Sequence, residues 1–309
     1  MAKHVVVQET TANLWQLIQT PGITDLVIDG STLARADFGS GFQEVASGFE
    51  SDDQLMSAII QLALEAGSRI DIAKPVADFV LRGARFHAVL PFGLSTKPLL
   101  SIRIHPTEAK TLGDLEESGM LTGAQAIWLR QQIANGKSMI FSGPTGVGKT
   151  TLLRSLLKNL NERIICIEQT PELFLDSPAI SLTEREANQE GVGQIELDEL
   201  IIHSLRMRPD RVVVGEVRSK EFRVLLQAIN NGHSGTLTTL HATSLESISE
   251  RLLVLGLLSG FSTELTRQLV AQSIDFVVQL ERQNNHRFIS GIGKPVLTGN
   301  ELEIQRLEI

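Results

Sequence analysis

Residues 143–150 read GPTGVGKT, an instance of G-x-x-x-x-G-K-T, between the apolar run SMIFS (138–142) and a helical spacing of Leu152, Leu153, Leu156, Leu157 and Leu160. A strand, a glycine-rich turn and a helix start in that order make a phosphate-binding loop. The glycines let backbone N–H groups turn inward around phosphates, at a helix end whose dipole favours anions. The candidate nucleotide contacts are Gly143, Pro144, Thr145, Gly146, Val147, Gly148, Lys149, Thr150 and Thr151. Lys149 would reach the β- and γ-phosphates and Thr150 would bind Mg2+, so ATP and Mg2+ are the expected ligands.

Hydrolysis also needs carboxylates for the metal and the attacking water. IICIEQTPEL (164–173) puts Glu168 and Glu172 just past one predicted strand, and RPDRVVVGEVRSKE (208–221) puts Glu216 at the end of another. On the carboxyl edge of a parallel sheet such acids converge on the P-loop crevice despite their separation in sequence. Glu216 is the best placed: it adjoins Gly215 and follows the buried-strand pattern Arg211, Val212, Val213, Val214. For Glu168 and Glu172 a solvated loop position is the competing reading.

Around these motifs short apolar runs alternate with helical patterns: SMIFS, TLLRSLLKNL, RIICIE, RVVVGE, KEFRVLLQAINNG and TLTTLH. The alternation predicts an α/β domain with a largely parallel sheet over 123–309. Upstream, Leu14, Leu17 and Ile18 share a helical face, and PGITDLVIDG reads as turn, strand and turn. Ser51, Asp52 and Asp53 are capping residues ahead of a helix carrying Leu55, Ile59, Leu62, Ala63 and Ala66 that stops at Gly67. RFHAVLPFG and LLSIRIH read as strands, so 1–105 forms a smaller α+β domain, joined through the polar, Pro- and Gly-containing stretch 106–122.

The 309 residues carry a formal charge of −8, which argues against nucleic acid as the main partner. The single Cys166 suits a reducing compartment. The N-terminal stretch has no signal-peptide pattern. LLVLGLLSGF (252–261) falls short of the roughly 18 to 20 residues of a membrane span, so no direct membrane insertion is expected.

GPTGVGKTT, IEQTPEL, LRMRPDRVVVGEVRSKE and AINNGHSGTLTTLHATS resemble, in order and spacing, the nucleotide-site boxes of the type II/type IV secretion-system ATPases. The branch this looks like is the tight-adherence (Flp-type) pilus assembly ATPases, in a short version without that branch's long N-terminal extension. The resemblance implies a RecA-like P-loop NTPase domain, a smaller PAS-like N-terminal domain, and a homo-hexamer working in the cytoplasm at the inner membrane on a platform protein. It implies roles as well. Glu216 matches the acid of the atypical Walker B box and binds metal with Thr150, Glu172 matches an acid of the Asp box, and His233 and His241 match the His-box pair. Arg85 and Arg103 match, by position, arginines that reach the phosphates from the N-terminal domain, ahead of Arg206, Arg208 and Arg218. Gln169 departs from the pattern, since it removes one negative charge from the Asp box.

GHSGTLTTLH supplies neither cysteine nor carboxylate, which argues against zinc at the two histidines. With small hydroxyl side chains between them, His241, supported by His233, is read as a hydrogen-bonding sensor of the γ-phosphate. Two other functions share the P-loop. A nucleotide-gated ring subunit with little turnover draws support from Gln169; a DNA-translocating ATPase is disfavoured by the acidic charge and the absence of tyrosine.

Overall fold

The structure, a computed structural model, describes residues 11–309 apart from 13, 40, 105–108, 176, 177, 186, 188–191 and 285. Residues 1–10 and 13 of the N-terminal stretch read for a signal and the first residues of the expected connection, 106–108, lie outside the described residues. The chain divides into two compact units, Met1–Glu108 and Ala109–Ile309.

The first unit is an antiparallel sheet with a helix on one face. Its strands are β1 (Asp25–Asp29), β2 (Ala34–Asp37), β3 (Phe42–Val45), β4 (Val76–Leu81), β5 (Ala84–Val89) and β6 (Leu99–Ile104), in the order β3-β2-β1-β6-β5-β4. Alternation sorts the faces: in β5 Ala84, Phe86 and Ala88 are buried while Arg85 and His87 turn outward. Helix α1 (Asp52–Glu65) starts at Ser51, whose side chain accepts from the Gln54 N–H, and buries Leu55, Ala58, Ile59, Leu62 and Ala63. That stripe packs with Leu26, Ile28, Phe79, Phe86, Leu100 and Ile102 into one core. Sequence patterning recognised β1, β5, β6 and α1 but not β2 to β4.

The second unit begins inside the stretch expected as a connection. Helix α2 (Leu112–Glu117) has a complete capping box between Thr111 and Asp114 and buries Leu112 and Leu115. Met120 and Leu121 follow into the same core, so this part of 106–122 is packed structure. Polar and glycine content suggested a linker; the two buried leucines and the cap decide otherwise.

The chain continues through α3 (Gly123–Ala134), β7 (Met139–Ser142), α4 (Lys149–Leu157), β8 (Ile164–Glu168), β9 (Ile180–Thr183), α5 (Leu197–Leu205), β10 (Arg211–Val214), α6 (Glu221–Asn230) and β11 (Leu237–Leu240). Two helices, α7 (Ile248–Leu258) and α8 (Thr263–Ser273), then lead to β12 (Phe276–Gln283), β13 (His286–Thr298) and β14 (Glu301–Leu307). The sheet order is β14-β13-β12-β7-β11-β10-β8-β9. From β12 to β9 every neighbouring pair is parallel; β13 and, at the edge, β14 extend the sheet with antiparallel pairs that patterning does not identify. Residues of β7 alternate between two cores: Met139 and Phe141 face α2 to α4, and Ile140 faces α5 to α8. Being covered on both faces is why these strands are continuous apolar runs.

Arg211 opens β10 with its side chain 3% exposed. It forms a fork with Glu162 (2.7 and 3.1 Å) and donates to the carbonyls of Gly235 (2.7 Å) and Ile133 (3.0 Å), tying three connections at the sheet's amino edge. Arg211→Ala should lower stability by about 3 kcal/mol in denaturant unfolding, because it strands Glu162 and two buried carbonyls.

Candidate active site

The P-loop springs from β7, an interior strand. Gly143 has φ +146°, and a Cβ there would lie 2.4 Å from the Leu280 carbonyl oxygen and 2.9 Å from Val147 Cγ1, so only glycine fits. Lys149, 7% exposed, folds back into the loop. Its ammonium donates to the carbonyls of Gly143 (2.7 Å) and Pro144 (2.9 Å), and its third partner is His241 Nδ1 at 3.2 Å. Burial lowers the Lys149 pKa to about 8, against the opposing charges of Glu216 and Glu172.

From Lys149 a line of contacts crosses neighbouring strands in sheet order. An ammonium only donates, so His241 Nδ1 accepts and its Nε2–H points to Glu216 Oε1 at 3.0 Å. The other Glu216 oxygen accepts from Arg218 at 2.8 Å, and the same guanidinium donates to Gln169 Oε1 at 3.0 Å. These residues follow β7, β11, β10 and β8, adjacent parallel strands, so their carboxyl ends bring four separated motifs into one row. Burial pushes the Glu216 carboxyl up, but hydrogen bonds from His241 and Arg218, with positive charge beside it, outweigh burial and bring its pKa down to about 2. Glu216 is therefore a carboxylate at any working pH.

Glu168, 4% exposed, does something different. One of its oxygens accepts from the backbone N–H groups of Glu172 (3.0 Å) and Leu173 (3.2 Å), which holds the turn bearing Glu172. Burial lifts its pKa to about 7 despite those donors. A Cβ on Gly215 would come within 3.0 Å of Glu168 Cγ, so the glycine before Glu216 makes room for this side chain. Thr239 closes the arrangement by donating to the Gly215 carbonyl at 2.6 Å.

The two histidines part company. His241 follows the carboxyl end of β11, whereas His233 precedes its amino end, with Thr236 Oγ1 bonded to the His233 carbonyl, so the strand separates them. The expected support of His241 by His233 has no contact behind it: a strand of this length puts its two flanks on opposite sheet edges. Arg206 and Arg208 lie in the turn before β10, also away from the carboxyl edge. Arg218, ranked behind Arg85 and Arg103 from sequence, is the arginine of this unit on the Glu216 carboxylate. Arg85 and Arg103 are register neighbours on β5 and β6 of the first unit, near Asp78 (3.7 Å) and Asp25 (3.0 Å) respectively.

The site fits a triphosphate: a glycine-only turn, helix α4 opening at Lys149, and a buried ammonium resting on carbonyls that an anion can replace. Among the described residues no group of three or more His, Cys, Asp or Glu side chains could hold a metal ion. A metal ion held mainly by phosphate oxygens needs no such cage.

The sequence profile of the Type II/IV secretion system protein family matches residues 52–292. The chain belongs to this family. It is similar to a putative conjugal transfer protein of Mycobacterium tuberculosis, 33% identical over 88% of this chain and 80% of that protein. It also resembles the conjugal transfer protein TrbB of Rhizobium radiobacter, 29% identical over 80% and 76%. In fold it is similar to the pilus retraction motor PilT solved with bound ADP (TM-score 0.63, 18% identity, 96% of this chain and 82% of that one). The Legionella pneumophila ATPase DotB superposes likewise (TM-score 0.58, 19% identity, 96% and 78%). The α/β fold of the second unit, preceded by an N-terminal domain, is thus the fold these solved proteins share.

Two measurements probe the site. Gly143→Ala should abolish nucleotide binding in a fluorescence titration while the circular dichroism spectrum stays native. Glu168 has a raised folded-state pKa, so its contribution to stability is complete below its unfolded value and fades as pH rises through about 7. Glu168→Gln should therefore gain thermal stability relative to wild type between pH 5 and pH 8, by up to roughly 3 kcal/mol.

Proposed function

We propose that this chain is a hexameric ATPase motor that couples ATP hydrolysis to pilus assembly or to type II/IV-like secretion, working on a membrane platform protein from the cytoplasmic face. The observation that carries it is the row Lys149–His241–Glu216–Arg218–Gln169 across the carboxyl ends of four parallel strands. Family membership supports the secretion role, and the motif pattern supports the tight-adherence branch. Among the described residues no helix is long and apolar enough to cross a membrane.

The chemistry follows from the side chains. Phosphoryl transfer is catalysed by positioning and charge stabilisation, and Lys149, Glu216 and His241 are the members of the row assigned to these tasks. Lys149 exchanges the Gly143 and Pro144 carbonyls for β- and γ-phosphate oxygens. Glu216, too weak a base to take a proton early, orients the attacking water through its hydrogens. Thr150 and Glu216 would hold Mg2+, which when bound would supply positive charge beside the phosphates. His241 loses the Lys149 donor when Lys149 moves, which leaves Nδ1 open to report the change along β11 to α7. Arg85 and Arg103, on the outward face of β5 and β6, are the proposed guanidinium clamp from the N-terminal domain, and their release after phosphate departure would let the domains separate.

A second reading, a ring subunit that binds ATP and scarcely hydrolyses it, has its own support: Arg218 ties up the Glu216 carboxylate and Gln169 cannot draw it off as an acid would. Steady-state phosphate release by the purified protein separates the two. Motor activity predicts measurable turnover that falls about 100-fold or more in Glu216→Gln and vanishes in Lys149→Ala; equal, near-zero rates in wild type and Glu216→Gln favour the gated ring. His241→Ala should lower turnover about tenfold while leaving ADP affinity unchanged; wild-type turnover and secretion in that variant would remove the sensor role.

A further inference from the structure

Next to the P-loop strand, on the side away from His241, β12 carries a glutamine in a place built for apolar groups. Gln279 is fully buried and pairs in register with Ser142, the last residue of β7 before Gly143. Both side chains point to the face occupied by Ile140, Val277, Leu240 and Leu245. The Gln279 amide nitrogen makes two long contacts, to the Ala242 carbonyl at 3.5 Å and the Leu280 carbonyl at 3.4 Å. Gln279 Oε1 and Ser142 Oγ are buried without a hydrogen-bond partner. An acceptor and a hydroxyl donor thus stand on register neighbours, complementary and unjoined, where a core would ordinarily tolerate neither.

The contacts of this amide identify what it acts on. Ala242 follows His241 directly. The Leu280 carbonyl is the group that leaves room for glycine alone at Gly143. We propose that Gln279, with Ser142 as its partner, is a positioning residue that ties the root of the P-loop to the His241 loop, so that closure of the P-loop on a triphosphate is felt by His241. The inference rests on the sensor role of His241 proposed above. The two under-used ends of the amide give the tie two arrangements: long and loose as observed, and closed with Ser142 Oγ–H donating to Oε1.

The test is a double-mutant cycle on the full chain, with Gln279→Met, which keeps the shape and removes the polar atoms, against His241→Ala. The readouts are kcat and the ratio of affinities for a non-hydrolysable ATP analogue and ADP. Gln279→Met should lower kcat about 5- to 20-fold, collapse the affinity ratio towards one, and leave ADP affinity within about twofold of wild type. Added to His241→Ala it should cost nothing more. Ser142→Ala, which deletes one oxygen, should shift the same readouts in the same direction by about threefold, and it stands in if Gln279→Met does not fold. A Gln279→Met or Ser142→Ala protein with wild-type kcat and affinity ratio, or single-variant losses that multiply in the double variant, overturns the inference while the sensor role stands. A silent His241→Ala overturns both.

Discussion

Lys149 is a buried cation with every N–H donor spoken for, two on carbonyls of the loop that surrounds it and one on His241. A buried ammonium is tolerated only where such partners surround it, and the loop meets that need with the Gly143 and Pro144 carbonyls. Glycine at 143 permits this arrangement, because no side chain fits between the loop and the Leu280 carbonyl. The remainder of the site is arranged around this ion: His241 can accept from it only as the neutral Nε2–H tautomer, and that tautomer in turn obliges Glu216 to be the acceptor.

Charge is finely balanced along the row. Glu216 faces Arg218 on one oxygen and His241 on the other, and the guanidinium divides itself between Glu216 and the uncharged amide of Gln169. With 59% of its side chain exposed, Arg218 is held by its partners and not by packing. Glu168 lies one strand over, sealed from water, and serves the turn that carries Glu172.

The elements legible in the sequence were those with one dominant signal. Glycine spacing located the P-loop, apolar runs located β7, β8, β10 and β11, and a leucine stripe behind a serine cap located α1. β13 and the edge strand β14 mix glycine, charge and Pro295 in a way that hides their pairing, and β2 and β3 are short and partly exposed. Helix α2 was hidden by its polar neighbours, since two buried leucines in six residues make no period. In the site, the carboxylates converge because strand ends in a parallel sheet share an edge. The separation of His233 from His241 and the engagement of Arg218 by Gln169 depend on side-chain reach, which spacing in sequence does not encode. Gln279 carried no motif at all; its meaning lies in being polar where its neighbours are not.

The strand that bears the P-loop is hemmed in by β11 and β12, chain segments made about a hundred residues or more after it, and its pairing with β12 begins only at Phe276. During synthesis the loop therefore emerges long before the walls that shape it. A ribosome-bound chain halted ahead of β12 would present the full consensus motif with no pocket around it, and nucleotide capture becomes a late event in biogenesis, deferred until nearly the whole second unit has left the exit tunnel.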